Sequence, residues 1–122
     1  MSTSMTGYPC PCCGYLVFLE PPGSYEICSI CGWEDDISQL RFPLASGGAN
    51  RQSLVEAQSA FGQRSQLREI DRRPYRDSTW RMLDNRRDNF EQVEPGVDYG
   101  STYPSDSTSL YYWRSNYWRK AT

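Results

Sequence analysis

The sequence predicts a small α+β fold, on three observations. Two C-x-x-C pairs frame a short β-favouring run. A helix-start signature stands at residues 53–56. An aromatic-dense stretch, LYYWRSNYWRK, follows a region rich in Gly, Pro, Ser, Thr and Asp. A chain of 122 residues is the size of one domain. Residues 1–122 are therefore read as one unit, with a ribbon at 8–36, a helical segment at 53–73, and a loop with an aromatic C-terminal segment at 93–122.

Taken in order, residues 1–7 are small and polar, and are expected to fray. Tyr15–Glu20 reads as a strand, and Pro21-Pro22-Gly23-Ser24 as a turn. Tyr25–Ile27 then returns as the second strand of a β-hairpin. Residues 37–50 read as loop. Ser53 and Glu56 form an S-x-x-E capping box, each satisfying a free backbone N–H at a helix start. Leu54, Ala57 or Gln58, and Phe61 follow at helical spacing. Gly62 weakens this helix without ending it. Leu67 and Ile70 extend its apolar face, and Pro74 stops it by Arg73. A short helix is expected within 75–92, carrying Trp80, Leu83 and Phe90 on one face, although Arg87 interrupts the series. Residues 93–109 read as loop, and the aromatic end as a strand or hairpin. No internal repeat is evident.

Composition explains why such a chain needs a staple. Apolar residues make up 38% and aromatics 14%, with nine Tyr and four Trp but few aliphatics. A short chain buries only part of its surface, so a metal would supply what a thin core does not. No apolar run is long enough to span a membrane. Residues 1–9 lack the basic start and apolar stretch of a signal peptide. The expected location is the cytoplasm, a reducing compartment where clustered cysteines favour metal over disulfides.

The five cysteines fall in two clusters: Cys10, Cys12 and Cys13, then Cys28 and Cys31. Zinc takes four soft ligands at tetrahedral corners. A C-x-x-C-G turn lets two thiolates reach one ion, and Gly14 and Gly32 stand where such a turn needs positive φ. Cys10, Cys13, Cys28 and Cys31 are thus the expected ligands of one structural zinc ion, in a zinc ribbon. Cys12 is the surplus thiol. It competes with Cys13 as ligand, but its spacing from Cys10 is tight. Iron in place of zinc is chemically open. Dithiol redox motifs normally open a helix, whose N-terminus lowers the thiol pKa. Here each pair is followed by Gly and then by Tyr15 or Trp33, in extended context.

The chain contains no histidine. That removes Ser-His-Asp and Cys-His catalysis and His-ligated catalytic zinc. Four thiolates leave zinc no open position for water. Glu34, Asp35 and Asp36 are the one set imaginable as an acid–base pair or magnesium site, but consecutive acids more commonly sit in a solvated loop. The expectation is a protein that is not an enzyme.

The formal net charge is −2. Four thiolates remove four charges and a zinc ion returns two, which leaves about −4. Residues 1–45 carry Glu20, Glu26, Glu34, Asp35 and Asp36 against Arg41 alone. Solubility accounts for such a balance. Beyond that, it suits a basic protein partner better than nucleic acid.

The strings YPCPCCGYLVF, YEICSICGWEDD and GGANRQSLVEAQSAF closely resemble the bacterial cysteine-rich CPCC family. RRPYRDSTWRMLD is similar to a later segment of that family, so the resemblance spans roughly residues 8–84. The resemblance implies metal ligation by Cys10, Cys13, Cys28 and Cys31. Members often occur beside toxin systems that include secreted nucleases. This implies an immunity protein that binds and neutralises a cognate toxin domain. Trp, Tyr and Arg are common interface anchors. The candidate surface joins Glu34, Asp35 and Asp36 with Tyr111, Tyr112, Trp113, Tyr117 and Trp118. The competing reading puts those aromatics in the core of a chain short of Leu and Ile.

Other readings are a nucleic-acid-binding ribbon and a general protein-interaction module. In the first, Arg68, Arg72, Arg73, Arg76, Arg86 and Arg87 would track phosphates. Acids interleave with them (Glu69, Asp71, Asp77, Asp84 and Asp88), as on a salt-bridged, solvated face. No membrane partner is expected.

Overall fold

Each cysteine pair sits at the tip of its own short antiparallel ladder. The computed structural model describes residues 7–65 and 76–119. Strand β1 (Tyr8–Pro9) pairs with β2 (Leu16–Phe18), Tyr8 opposite Phe18 and Pro9 opposite Leu16. The predicted hairpin is therefore corrected: β2 folds back on the residues before it. Tyr25–Ile27 pairs instead with residues beyond the second cysteine pair. Tyr25 N donates to Asp35 O (3.1 Å), Asp35 N donates to Glu26 O (2.9 Å), and Ile27 bridges Glu34. The physical reason is that a C-x-x-C-G turn is itself a chain reversal, so each arm pairs with its own flank. The Pro21–Ser24 turn links two units rather than closing one.

Helix α1 (Ile37–Arg41) lies within the segment expected to be loop. Five residues are too few to show a period. The helix is set by its cap: the Asp36 carboxylate accepts from Ser38 N (2.8 Å), Gln39 N (3.4 Å) and Ala49 N (2.9 Å). Buried Gln39 donates to the carbonyls of Ala45, Asn50 and Gln52, each at 3.1 Å, and so wraps residues 45–52 around its own side chain. Gly48 is needed in that wrap, because a Cβ there would stand 2.6 Å from an Asp36 carboxylate oxygen.

Helix α2 (Leu54–Ser65) begins with the expected capping box. Ser53 N donates to Glu56 Oε1 (2.9 Å) and Glu56 N to Ser53 Oγ (3.2 Å). Leu54, Gln58 and Phe61 form its buried face, and Gly62 passes through it. The predicted continuation to Arg73, with Leu67 and Ile70, lies outside the described residues.

Among the described residues, 76–92 hold turns and no helix. Their polar groups bond to other segments instead. Asp77 N donates to Gly14 O (2.7 Å), Trp80 Nε1 to Pro11 O (2.9 Å), and Leu83 N to Gln58 Oε1 (3.0 Å). Trp80, Leu83 and Phe90 consequently do not share a helical face.

The aromatic end is also corrected. It is a 3-10 helix (Ser107–Leu110) followed by turns, not a strand or hairpin. Leu110, Tyr111, Tyr112 and Trp113 are buried in succession. A strand with one wet face alternates and cannot do that. The rings pack on one another, Tyr111–Trp113 at 4.8 Å and Tyr112–Trp113 at 4.9 Å between centroids. Together with Phe18, Trp33, Leu40, Leu54 and Phe61 they surround the cysteines, so the core is built on the cysteine cluster.

Two polar anchors hold distant segments together, one joining the earlier half of the chain to the later and one within the later half. Arg41, 4% exposed, pairs bidentately with Glu91 at 2.7 and 3.2 Å. The rings of Phe42, Tyr99, Tyr103 and Trp118 lie around its guanidinium at 4.5–5.1 Å. The second anchor is Asp77, whose Oδ2 accepts from Trp113 Nε1 and Arg114 Nη2, each at 3.0 Å. Burial opposes the Asp77 charge, but hydrogen bonds from Thr79, Arg114 and Trp113 outweigh it and hold the carboxyl at about 2. A folded pKa below the unfolded value adds stability that is complete above roughly pH 4 and is lost as pH falls towards the folded value. The stability deficit of Asp77→Asn should therefore be constant across neutral and mildly acidic pH. Urea titrations in that range check this, and a deficit that changes there would contradict the assignment.

Candidate metal centre

The two C-x-x-C turns share one hydrogen-bonding pattern. In the first, Cys10 N donates to Tyr15 O (2.9 Å) and Gly14 N to Cys10 O (2.6 Å). In the second, Cys28 N donates to Trp33 O (2.8 Å) and Gly32 N to Cys28 O (2.9 Å). Ile30 N also points at Cys28 Sγ (3.3 Å). The chain thus contains two copies of one turn that sequence reading did not register as a repeat, because only the Cys and Gly positions correspond. Gly14 and Gly32 adopt φ of 83° and 86°, as the spacing predicted.

The turns face each other. The Sγ atoms of Cys10, Cys13, Cys28 and Cys31 all lie within 4.8 Å of one another. Cys10–Cys31 is 3.6 Å and Cys13–Cys28 3.7 Å. A tetrahedron with ligands about 2.3 Å from its centre has edges of about 3.8 Å. The four cysteines are therefore positioned to hold one metal ion. Cys13, not Cys12, completes the set. Cys12 is buried beside them, at 3% exposure.

The centre is dry. Burial pushes the Cys10 thiol well above its ordinary range, and the sulfurs of Cys13, Cys28 and Cys31 push it further. Four thiolates can share this space only if a cation offsets their repulsion, so metal binding here displaces protons.

Other segments fix the first turn. Gln58 Nε2 donates to Pro11 O (3.0 Å) and to Tyr112 Oη (2.8 Å), and the Tyr112 hydroxyl donates to Arg81 O. Arg76 Nε donates to Cys13 O (2.9 Å), and its guanidinium covers the Tyr15 ring at 4.6 Å. Gln58 and Trp80 thus hold Pro11, and Arg76 holds Cys13. Sequence reading missed this supporting role. The signal available was a buried-face Gln at helical spacing.

Trp80 also closes over Gly14, where a Cβ would stand 2.6 Å from the indole. At Gly32 a Cβ would meet nothing within 4 Å. Gly14→Ala should therefore destabilise by about 3 kcal/mol, from backbone strain plus overpacking. Gly32→Ala should cost about 1 kcal/mol, from strain alone. Denaturant titration of the metal-loaded variants checks this, and equal losses would refute the Trp80 contact.

The acids expected at a binding surface are placed otherwise. Asp35 is 2% exposed and accepts from Ser24 N (3.2 Å) and Ser24 Oγ (2.7 Å). Burial pushes its carboxyl up, with the Ser24 bonds opposing. Asp36 is the buried cap of α1. Glu34 is half-buried, and Asn50 clasps its backbone at 2.8 Å on both N–H and C=O. Tyr111, Tyr112, Trp113 and Tyr117 are core residues, and Trp118 is half-buried in the Arg41 cage. These residues do not form an exposed face. Asp35 and Asp36 serve the fold because each satisfies backbone donors that a tight loop leaves free.

Of the arginines expected to track phosphates, Arg68, Arg72 and Arg73 lie outside the described residues. Arg76 is engaged with the first turn. Arg86 and Arg87 are exposed.

A model of the family described as cysteine-rich CPCC matches residues 8–79 of this chain. No curated protein matches it. The matched span covers both cysteine turns, α1 and α2.

Proposed function

The chain belongs to the cysteine-rich CPCC family, and from that premise we propose that it is a non-catalytic, zinc-stapled immunity protein that binds and occludes a toxin domain. The observation that carries the zinc-stapled part is the four-sulfur cluster. Its size suits a zinc ion, and four thiolates around zinc leave no site for a reactive water, so the metal would serve the fold. Metal analysis distinguishes zinc from iron: a colourless protein with about one zinc per chain is expected.

The toxin-binding part rests on the neighbourhood that the family resemblance implies, and on charge. Among the described residues of 7–45, Arg41 is the one cation, and Glu91 and the aromatic cage already hold it. The ribbon's own charge is therefore negative, with Arg76 at the first turn and Arg51 in the cavity beside Glu34 as cations that other segments bring to it. This suits a basic protein and repels phosphate backbones. No helix among the described residues is long and apolar enough to cross a membrane. A cytoplasmic protein meeting a toxin inside the cell is the setting proposed.

The test is co-expression with the toxin domain encoded beside it. Restored growth together with a stoichiometric complex is the expected result. Unrestored growth, or restoration without a complex, would end the reading. Tight nucleic-acid binding with a steep salt dependence would replace it with the ribbon-on-nucleic-acid reading.

A further inference from the structure

Burial removes the expected acids and aromatics from the surface, and a different face of the ribbon is left apolar. Leu19 is 82% exposed, Ile27 68% and Tyr25 53%. All three stand on one closed loop. The Glu26 carboxylate accepts from Leu19 N and Glu20 N, each at 3.1 Å, which ties residue 19 to residue 26 and closes the loop that carries all three residues. A small domain with a thin core leaves three large apolar groups in water within nine residues of one loop, next to a backbone it has pinned.

The pinning includes strain. Tyr25 has φ of 61°, the positive φ found at no other non-glycine position among the described residues. A bulky residue in that conformation is disfavoured, and glycine would relieve it. The tyrosine ring is half in water, so core packing does not explain its presence.

Charge says what would cover the patch. Glu20 is exposed, Glu26 is half-buried within the loop, and Glu34 sits opposite Ile27 across the bridge. Among the described residues, no cation of the ribbon itself faces these acids, since Arg41 is enclosed, and of the three only Glu34 has a cation from another segment near it, Arg51 in the same cavity. Buried apolar anchors inside a charged rim are the anatomy of a protein interface.

The geometry points to the Leu19–Tyr25–Ile27 face as the docking surface for a protein partner that offers an apolar pocket ringed by Lys and Arg. This rests on the reading of the chain as a binding protein and names the surface it would use. Electrostatic attraction would speed the encounter, and the three apolar side chains would slow release.

The probe is a random-peptide phage library, panned on the full-length zinc-loaded chain. Enriched peptides should be rich in Lys and Arg with large apolar residues. Their affinity should fall about tenfold or more on Leu19→Ser with Ile27→Ser. It should also weaken with salt. Val93→Ser with Val97→Ser, at exposed apolar residues elsewhere, should leave binding unchanged. The four substituted positions are exposed, and metal content with near-UV circular dichroism verifies the fold. Tyr25→Gly should raise Tm by a few degrees while weakening the same peptides.

Acidic peptides, no enrichment, or binding indifferent to the Leu19 and Ile27 changes would overturn the assignment. A dimer of the wild type that Leu19→Ser dissolves would also overturn it, since a second copy would then own the face. Growth protection separates this from the toxin reading. Full protection by the Leu19→Ser, Ile27→Ser chain would sink the surface and leave the reading standing. Basic peptides captured by a chain that protects against nothing would do the reverse.

Discussion

Replacing Cys28 by serine, or stripping the metal with a chelator, is expected to unfold the protein. A four-thiolate zinc site contributes on the order of 10 kcal/mol to folding. The whole stability of a domain this size is of similar magnitude, about 5–15 kcal/mol. The cysteines are also the centre of the core rather than an appendage. Cys10, Cys13 and Cys28 are nearly fully buried, and Phe18, Trp33, Leu54 and Tyr111 pack in the same cluster. Losing the ion would leave protonated thiols with no bond holding the two turns together where the rings converge. Near-UV circular dichroism and metal content read the outcome together. A Cys28→Ser chain with native aromatic signals and an unchanged Tm would show that the sulfurs are merely neighbours.

The second large effect is expected at Arg41. Its side chain is 3% exposed and that of Glu91 14%. Breaking a buried pair from one side leaves an uncompensated charge in the interior, at about 3–5 kcal/mol. Arg41→Met and Glu91→Leu should each approach that loss. The double variant should lose far less than the sum, because replacing both partners by apolar groups is often near neutral. Arg41→Met also forfeits the contacts with the four rings but leaves Glu91 with Arg119 at 3.9 Å, whereas Glu91→Leu strands the more deeply buried guanidinium, so the two single losses should be comparable. A urea double-mutant cycle measures the coupling. Strictly additive losses would show that the pair contributes nothing as a pair.

The metal cluster and α2 were legible because their chemistry is local. Ligand spacing, the glycines after each pair and the Ser53–Glu56 box are all encoded within a few residues, and each stands where the pattern placed it. The strand partners were not legible, because two β-favouring runs on either side of Pro21-Pro22 suggest a hairpin to any local reading. Only the reversal at each cysteine turn decides the pairing. α1 escaped for want of length. The acid run was misjudged because Asp35 and Asp36 look solvated until Ser24 and Ala49 arrive from elsewhere to bond them, beside the local cap bond from Ser38. The aromatic end showed its role by composition alone: a chain short of Leu and Ile must fill its interior with what it has. Its backbone path was hidden, since turns that bury four residues in a row carry no period.

The dependence of the core on Leu110–Tyr117 sets an order of events during synthesis. The four sulfurs leave the ribosome before the rings of that segment and lie close together along the chain, so they can capture their ion while residues 110–117 are unmade. The rings that seal them arrive much later, and Tyr112 must still find Gln58 while Trp113 finds Asp77. Between those moments the loaded ribbon is open on one side. Cys10, Cys13 and Cys28, buried in the finished fold, are exposed to oxidants and competing metals in the nascent one.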